Sequence, residues 1–231
     1  MRITVFGASG PTGRLLTEQA LAAGHRVAAV TRRTGSFPLR HDHLEVVGAD
    51  VLDPVAVDTA VEGRDAVLST LGVPPGREPI RTYSQGVAHI IEAMARHRVR
   101  RLGVVSSSGV DPHPYPDAGF LFNRLLLPYV TRVAGRTLYA DMRRMEALVR
   151  ASDLDWTIVR PGGLYHLPAV TAYTVVEGHP DGRFTSRADL AASLLALLDG
   201  DRYVRRTVGV VTTADNPTLL RWLRHEALGT R

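Results

Sequence analysis

A glycine-rich loop near the start of the chain has the residue types and spacing that bind phosphate groups. Residues 7–13 read GASGPTG, so that two residues separate each glycine from the next. The first glycine permits a tight turn, the second lets the backbone approach a pyrophosphate, and the third lets a helix pack closely on a strand. The N–H groups at the start of that helix favour negative charge. We therefore predict that the loop binds a dinucleotide through Gly7, Ser9, Gly10, Pro11, Thr12 and Gly13.

The residues after the second predicted strand indicate which dinucleotide binds. Proteins that bind NAD usually place Asp or Glu there, whereas proteins that bind NADP place arginine nearby. This chain has VTRRT at residues 30–34, with no carboxylate. Because a guanidinium fits a 2′-phosphate, Arg32 and Arg33 predict NADP(H) as the cofactor. The alternatives are two solvated surface arginines and, for the glycine loop, a turn without a ligand.

Two further strand ends are expected to complete the cofactor site. The segment GADV at residues 48–51 follows the third predicted strand, and TLG at residues 70–72 follows the fourth. Ligands of open α/β sheets bind at the carboxyl ends of strands. Asp50 is placed to accept from the adenine amino group. The sequence adds four predicted cofactor residues at these ends: Asp50, Val51, Leu71 and Gly72.

Candidates for catalysis follow the fifth and sixth predicted strands. Three serines occupy residues 106–108, and a hydroxyl there can hydrogen-bond a substrate carbonyl, although a capping or turn role fits them equally. We predict Ser107 as a catalytic residue and Ser108 as a substrate contact. Pro161 is expected beside the nicotinamide. Tyr165 and His166 are predicted to contact substrate, with surface or packing roles as the alternative.

The order of apolar runs and helical periods predicts the fold class. Strands and helices alternate, which is typical of parallel strands joined by helical crossovers. The sequence predicts strands at Arg2–Phe6, Arg26–Val30, Leu44–Val47, Ala66–Thr70, Arg101–Val105, Trp156–Val159, Tyr173–Glu177 and Thr207–Thr212. It predicts helices at Pro11–Ala23, Pro54–Glu62, Ile80–His97, Tyr139–Ala151 and Arg187–Leu198. We therefore predict a Rossmann-type, doubly wound, mostly parallel α/β sheet in a single domain (1–231), with residues 161–231 forming the substrate side of the cleft.

The amino-acid composition limits which partners and which reactions we expect. The chain has no cysteine and no lysine, which excludes disulfides, thiolate nucleophiles and Schiff bases, and we expect no metal site. Its net charge is +5, but the arginines are scattered, so we expect an anionic small molecule and no nucleic acid. Neither a signal peptide nor an apolar span of about 18 residues is evident. We expect a cytoplasmic monomer or homodimer without a membrane partner.

The segment between the serines and the next predicted helix has a distinct composition. Residues 111–136 are rich in Pro, Phe and Leu. Such a segment can line an apolar substrate site or form a lid. It can equally bury itself against the sheet or a partner subunit, and both interpretations stay open.

The glycine spacing resembles that of the extended and atypical short-chain dehydrogenase/reductases. Four further segments carry a closer resemblance: residues 48–51, 106–108, 139–146 and 155–161. With them, the chain is most similar to the biliverdin-IXβ reductase (flavin reductase) branch of that family over nearly its whole length. The resemblance implies an open site and hydride transfer from NADPH to a flavin or tetrapyrrole. Ser107 matches the active-site serine of that branch. Its active-site histidine falls on Gly163, a departure that bears on tetrapyrrole reduction.

The resemblance also identifies what this chain lacks. Most short-chain reductases use a tyrosine with a lysine four residues later, and Tyr139 and Arg143 have only the spacing of that pair, because arginine stays protonated. The family is expected to have its tyrosine eight residues before the glutamate that is Glu146 here, and that position is occupied by Leu138. We therefore interpret Tyr139 as a packing residue.

Three functions remain open at this point. The first is an NADPH-dependent oxidoreductase that transfers hydride to a flavin, a quinone or another planar conjugated acceptor. The second is a redox sensor of the NmrA type, which binds the dinucleotide without turnover. The third is a tailoring reductase of a biosynthetic pathway.

Overall fold

Strands and helices alternate along the chain in the computed structural model, which describes residues 1–74, 76, 78–115, 119–218 and 222. The first half contains β1 (Arg2–Phe6), α1 (Pro11–Ala22), β2 (Arg26–Thr31), β3 (Leu44–Gly48), α2 (Pro54–Val61), β4 (Ala66–Ser69), α3 (Thr82–His97) and β5 (Arg101–Val105). The second half contains α4 (Gly119–Leu121), α5 (Leu127–Tyr129), α6 (Arg136–Ala151), β6 (Asp155–Pro161), β7 (Gly163–Tyr165), β8 (Tyr173–Glu177), β9 (Phe184–Ser186), α7 (Arg187–Ala196) and β10 (Arg206–Thr212).

Eight of these strands form one twisted sheet in the order β3-β2-β1-β4-β5-β6-β10-β8. Neighbours are parallel throughout except for β8, which runs antiparallel to β10 at the edge. The order reverses beside β1, where the chain returns to β4 on the other side, and a crevice forms at such a point in doubly wound folds. The prediction of a Rossmann-type, mostly parallel sheet in a single domain is confirmed.

Side-chain alternation along the strands divides the core between the two faces of the sheet. Ile3 and Val5 pack in the cluster covered by α1 and α7, whereas Phe6 packs in the cluster covered by α2, α3 and α6. All three side chains are fully buried. Since strands buried on both faces read as continuous apolar runs, β1 was recognisable from its sequence.

The structure differs from the sequence predictions where local geometry is irregular. Residues 119–134 are helical, with π turns at Phe122–Leu126 and Val130–Ala134 between the short helices α4 and α5. A π turn has a wider period than 3.6 residues, so the apolar spacing did not indicate a helix. The parallel pair β7–β9 was also missed, because three residues are too few to show alternation. No helix of the described residues is long and apolar enough to cross a membrane.

A buried carboxylate joins α6 to the carboxyl ends of β5 and β6. Glu146 is 1% exposed. Its Oε1 accepts from Ser106 Oγ (2.7 Å) and Arg160 Nε (2.9 Å), and its Oε2 accepts from Arg160 Nη2 (2.7 Å) and Arg150 Nη2 (2.8 Å). The two bonds from Arg160 form a bidentate pair, which fixes orientation as well as distance. The network therefore fixes the strand ends that carry the predicted catalytic residues.

The charge of Glu146 is stabilised by its donors in spite of burial. Burial by itself raises the pKa of this carboxyl, but the hydrogen bonds from Arg160 and Ser106 and the charge of Arg160 lower the pKa below its ordinary value of 4.5. A carboxyl whose pKa is lower in the folded protein than in the unfolded chain stabilises the fold above the unfolded pKa. That contribution is lost as the pH falls through the folded pKa.

We predict that Glu146→Gln lowers the free energy of unfolding by about 2–4 kcal/mol, because the buried Arg160 loses its bidentate counterion and keeps only the exposed carboxylate of Asp111. Urea denaturation at neutral pH measures this loss. Below about pH 4.5 the wild-type protein should lose stability more steeply than Glu146→Gln, since the variant lacks the titrating group.

The matched control is Glu177→Gln, which removes an exposed ion pair with Arg206 (Nε to Oε1, 3.3 Å). Exposed pairs contribute little, so the control should change stability by less than about 1 kcal/mol. Equal losses in the two variants would contradict a special role for the buried network.

Candidate active site

The glycine loop between β1 and α1 has the close packing that its spacing predicts. Gly7 has φ of +77°, and a Cβ there would lie 2.6 Å from the carbonyl oxygen of Thr70. A Cβ at Gly13 would overlap Gly7 O and lie 2.8 Å from Thr70 Oγ1. Thr70 Oγ1 donates to Phe6 O (3.0 Å), which joins the ends of β1 and β4 beneath the loop. Side chains at these two glycines would fill the space that the loop needs.

The start of α1 can hold a phosphate. Gly10 is the N-cap, Pro11 occupies the first turn, and no side chain of the described residues caps this end of the helix. Pro11 has no N–H to lose, and the following N–H groups of the first turn lie beyond the reach of helical acceptors. Free N–H groups and the helix dipole together fit a pyrophosphate.

A cleft of about 550 Å³ extends from this loop along the carboxyl ends of the strands. Ten of the thirteen predicted cofactor residues line it: Gly7, Ser9, Gly10, Pro11, Thr12, Arg32, Asp50, Val51, Leu71 and Gly72. Gly13, Arg33 and Pro161 are not among its lining residues. Gly13 supports the loop by close packing, and Pro161 is buried in β6. The far end of the cleft is lined by Val105 of β5 and Leu164 of β7. The volume and the lining fit a dinucleotide.

The second-strand arginines occupy different positions. Arg32 is exposed and lines the cleft. Arg33 is exposed outside the cleft, at the start of a 3₁₀ turn (Thr34–Ser36), and its backbone N–H donates to Thr31 Oγ1 (3.1 Å). Across the cleft, Asp50 Oδ1 accepts from Leu52 N (3.0 Å), which fixes the carboxylate and leaves Oδ2 for a ligand. The geometry therefore favours Arg32 over Arg33 for contact with a 2′-phosphate.

A serine and a tyrosine hydroxyl meet just beyond the end of β5. Ser107 Oγ accepts from Gly109 N (3.1 Å), and the Tyr139 hydroxyl lies close to both residues. A Cβ at Gly109 or Gly135 would collide with the Tyr139 ring, so the two glycines make room for it. The structure agrees with the interpretation of Tyr139 as a packing residue, since its ring packs against the core, and it also brings the hydroxyl close to Ser107. Its spacing from Glu146 is seven residues, two helical turns, so both side chains lie on the α6 face towards β5.

Tyr139 is held as a neutral phenol. Burial raises its pKa above the ordinary value of 10.0, the hydrogen bond with Ser107 opposes this rise, and the nearby Tyr115 adds to it. Arg143, one turn further along α6, donates from Nε to the carbonyl of Val110 (3.0 Å). Its guanidinium is thus bound to the backbone. The Tyr139 phenol keeps its proton because burial outweighs the opposing effect of Ser107.

The predicted substrate residues separate in the structure. Ser108 Oγ accepts from the Tyr115 hydroxyl (3.2 Å) and lines a small cavity of about 50 Å³ outside the main cleft. Tyr165 is buried, and its hydroxyl lies 3.4 Å from Ala214 O and 3.3 Å from Asn216 Oδ1. His166 is exposed and lines neither cavity. Successive residues of a strand face opposite sides, so Leu164 of β7 reaches the cleft and Tyr165 does not. The structure thus gives Tyr165 a packing position.

Two buried aspartates near the site were not predicted. Asp141 accepts from the backbone N–H groups of Tyr83 (2.9 Å) and Ser84 (3.3 Å), which fastens α6 to the start of α3. Asp189 accepts from Thr171 N (2.6 Å) and Thr212 Oγ1 (2.5 Å), which fastens α7 to β10. An acidic residue on an otherwise apolar helix face was the signal for both. Among the described residues, no group of three or more His, Asp or Glu side chains could hold a metal ion.

Comparison with known proteins identifies relatives of this chain. The model of the NAD(P)H-binding family matches residues 7–201. An uncharacterized chloroplastic protein of Arabidopsis thaliana is 30% identical over 177 residues, which cover 72% of this chain and 60% of the relative. An uncharacterized protein of Mycobacterium tuberculosis is 38% identical over 113 residues, but these cover only 12% of its length. The "uncharacterized sugar epimerase YhfK" of Bacillus subtilis is 27% identical over 94% of this chain and 96% of its own.

Solved structures show the same fold. A short-chain dehydrogenase/reductase from Veillonella parvula, crystallised with NADP, has a TM-score of 0.76 at 21% identity, over 94% of this chain and 99% of that one. The anaerobilin reductase ChuY from Escherichia coli O157:H7 has a TM-score of 0.70 at 22% identity, over 94% and 100% of the two chains. The resemblance to atypical short-chain reductases is confirmed, and so is the prediction of a nicotinamide dinucleotide as cofactor. With the family match extending from the glycine loop to residue 201, this chain belongs to the NAD(P)H-binding family.

Proposed function

We propose that the protein is an NADP(H)-dependent reductase of a flavin, a quinone or another planar conjugated acceptor. The observation that carries the proposal is the continuity of the site. The dinucleotide cleft extends from the glycine loop to Val105, two residues before Ser107 in the chain, and Ser107 and Tyr139 lie next to each other just outside the residues that line the cleft. A cofactor bound along the strand ends brings its reactive ring to that end of the cleft.

Each part of the site has a distinct task in this proposal. Bound NADPH supplies the hydride. The start of α1 binds the pyrophosphate, and Arg32 binds the 2′-phosphate. Tyr139 donates a proton to the reduced acceptor and regains one from solvent, while Ser107 orients the phenol. Leu164, together with the described part of residues 161–231, forms the substrate side of the cleft, whose open shape suits a flat acceptor.

We predict that Arg32→Ala weakens NADPH binding by about 10-fold and leaves NADH binding nearly unchanged, because one charge-assisted contact to the 2′-phosphate is lost. Fluorescence titration with each dinucleotide measures both dissociation constants. Arg33→Ala is the matched control, since it removes an equal charge from the neighbouring residue outside the cleft. An unchanged ratio of the two affinities in Arg32→Ala would remove this residue from the cofactor site.

We predict that Tyr139→Phe lowers kcat for a quinone acceptor by about 10²-fold and leaves the Kd for NADPH unchanged, because proton donation is lost while cofactor binding is not. Steady-state kinetics and titration separate the two effects. Tyr165→Phe is the control, since its hydroxyl lies near Ala214 and Asn216 rather than the cleft, and should retain the wild-type kcat. Wild-type turnover by Tyr139→Phe would show that the proton comes from elsewhere.

A redox sensor is the second candidate function, and the arginine at residue 143 favours it. The chain has no lysine, and Arg143 donates to the Val110 carbonyl, so we infer that Tyr139 has no cationic partner of the kind that a lysine gives a catalytic tyrosine. For the reductase, we predict steady NADPH oxidation with FMN, FAD or quinones, which is measured as the loss of absorbance at the nicotinamide band. Tight NADPH binding without turnover across that panel would contradict the reductase and support the sensor.

A further inference from the structure

The helical segment at residues 119–134 presents a continuous apolar surface to solvent. We call this surface the outer face; it consists of Phe120, Leu121, Leu125, Tyr129, Val130 and Val133. These side chains are between 40% and 76% exposed. They account for six of the eleven strongly exposed large hydrophobic residues in the described chain. Such a concentration on one element marks an interaction surface rather than scattered surface apolarity.

The opposite side of the same segment holds the outer face in place. The ring of Phe122 contacts that of Tyr115 edge to face, with centroids 6.1 Å apart. Asn123 binds the backbone of Tyr115 in both directions, accepting at Oδ1 (2.9 Å) and donating from Nδ2 (2.8 Å). Thr131 is 2% exposed. Because these side chains anchor the inner side, the apolar residues remain on the outside.

The charged side chains of residues 119–134 and of Arg136 beside them are all positive. Arg124, Arg132 and Arg136 are exposed, and residues 119–140 contain no Asp or Glu. Within the part of the chain that the structure describes, none of the three arginines pairs with a carboxylate. Arg136 also lines an open groove of about 740 Å³ with Tyr129 and Val133, so a cation lies directly beside apolar walls. A second copy of this surface would bring like charges together, whereas an anionic partner complements it.

We propose that the outer face docks the protein on the surface of an anionic lipid bilayer. Apolar and aromatic side chains along one helical segment, with arginines at its sides, are the features of helices that lie in the membrane interface. The apolar residues enter the headgroup boundary, and the arginines contact lipid phosphates. This differs from the expectation of no membrane partner, because the helical geometry of 119–134 was not predicted. The inference does not depend on the proposed reductase activity.

The test is co-sedimentation of the full chain with vesicles. We expect binding to phosphatidylcholine vesicles that contain phosphatidylglycerol, weaker binding to phosphatidylcholine alone, and a decrease with added salt. Leu125→Glu should lower the partition coefficient at least about tenfold, since it places a charge on the outer face. Val55→Glu is the matched control, because Val55 is 75% exposed on α2, away from the segment, and it should bind as the wild type does.

A double variant tests the electrostatic contribution to vesicle binding. Arg124→Gln with Arg132→Gln should abolish the preference for phosphatidylglycerol. NADPH affinity, measured on every variant, reports that the fold is retained, since none of these residues lines the cofactor cleft. Absence of binding to either type of vesicle would overturn the proposal. A concentration-dependent dimer that Leu125→Glu dissociates, without vesicle binding, would also overturn it and assign the outer face to a second copy.

Discussion

The site depends on the buried charge of Glu146. A carboxylate that is removed from water must find donors, and here they come from the ends of two strands and from its own helix. Ser106 and Arg160 therefore have to reach the same point beneath α6. Their chain neighbours Ser107 and Pro161 follow, and Tyr139 lies two turns earlier on the same helix face. One charge thus determines where the candidate catalytic residues lie.

The glycine loop imposes the second constraint, and it acts on the other half of the sheet. Gly7 and Gly13 leave no room for a Cβ, so β1, α1 and the end of β4 are held at backbone contact. Both constraints act at the carboxyl edge of the sheet. The glycine loop acts at the ends of β1 and β4, and the Glu146 network acts at the ends of β5 and β6. The cleft that starts at the loop consequently extends along this edge towards Val105 and Leu164.

The sequence was informative where one physical rule dominates. Buried parallel strands give apolar runs, and phosphate loops need glycine, so the sheet and ten of the residues that line the cleft could be predicted. Tyr165 and His166 were assigned to substrate from their place after β6, but strand alternation in β7 turns the phenol inwards. Tyr139 was assigned to packing from an expected spacing of eight residues, and its ring does pack against the core, but that spacing did not indicate that its hydroxyl lies close to Ser107. Residues 119–134 followed no regular period because of their π turns.

The absence of lysine restricts the direction of the chemistry. A lysine beside the tyrosine would stabilise the phenolate and let it accept a proton during alcohol oxidation. Here Arg143 is bound to the backbone, and burial raises the pKa of Tyr139. The phenol therefore keeps its proton at neutral pH, which is the protonation state that a proton donor needs. In the reductase that we propose, this state matches the reducing direction, in which the acceptor takes up hydride from the cofactor and a proton from the phenol.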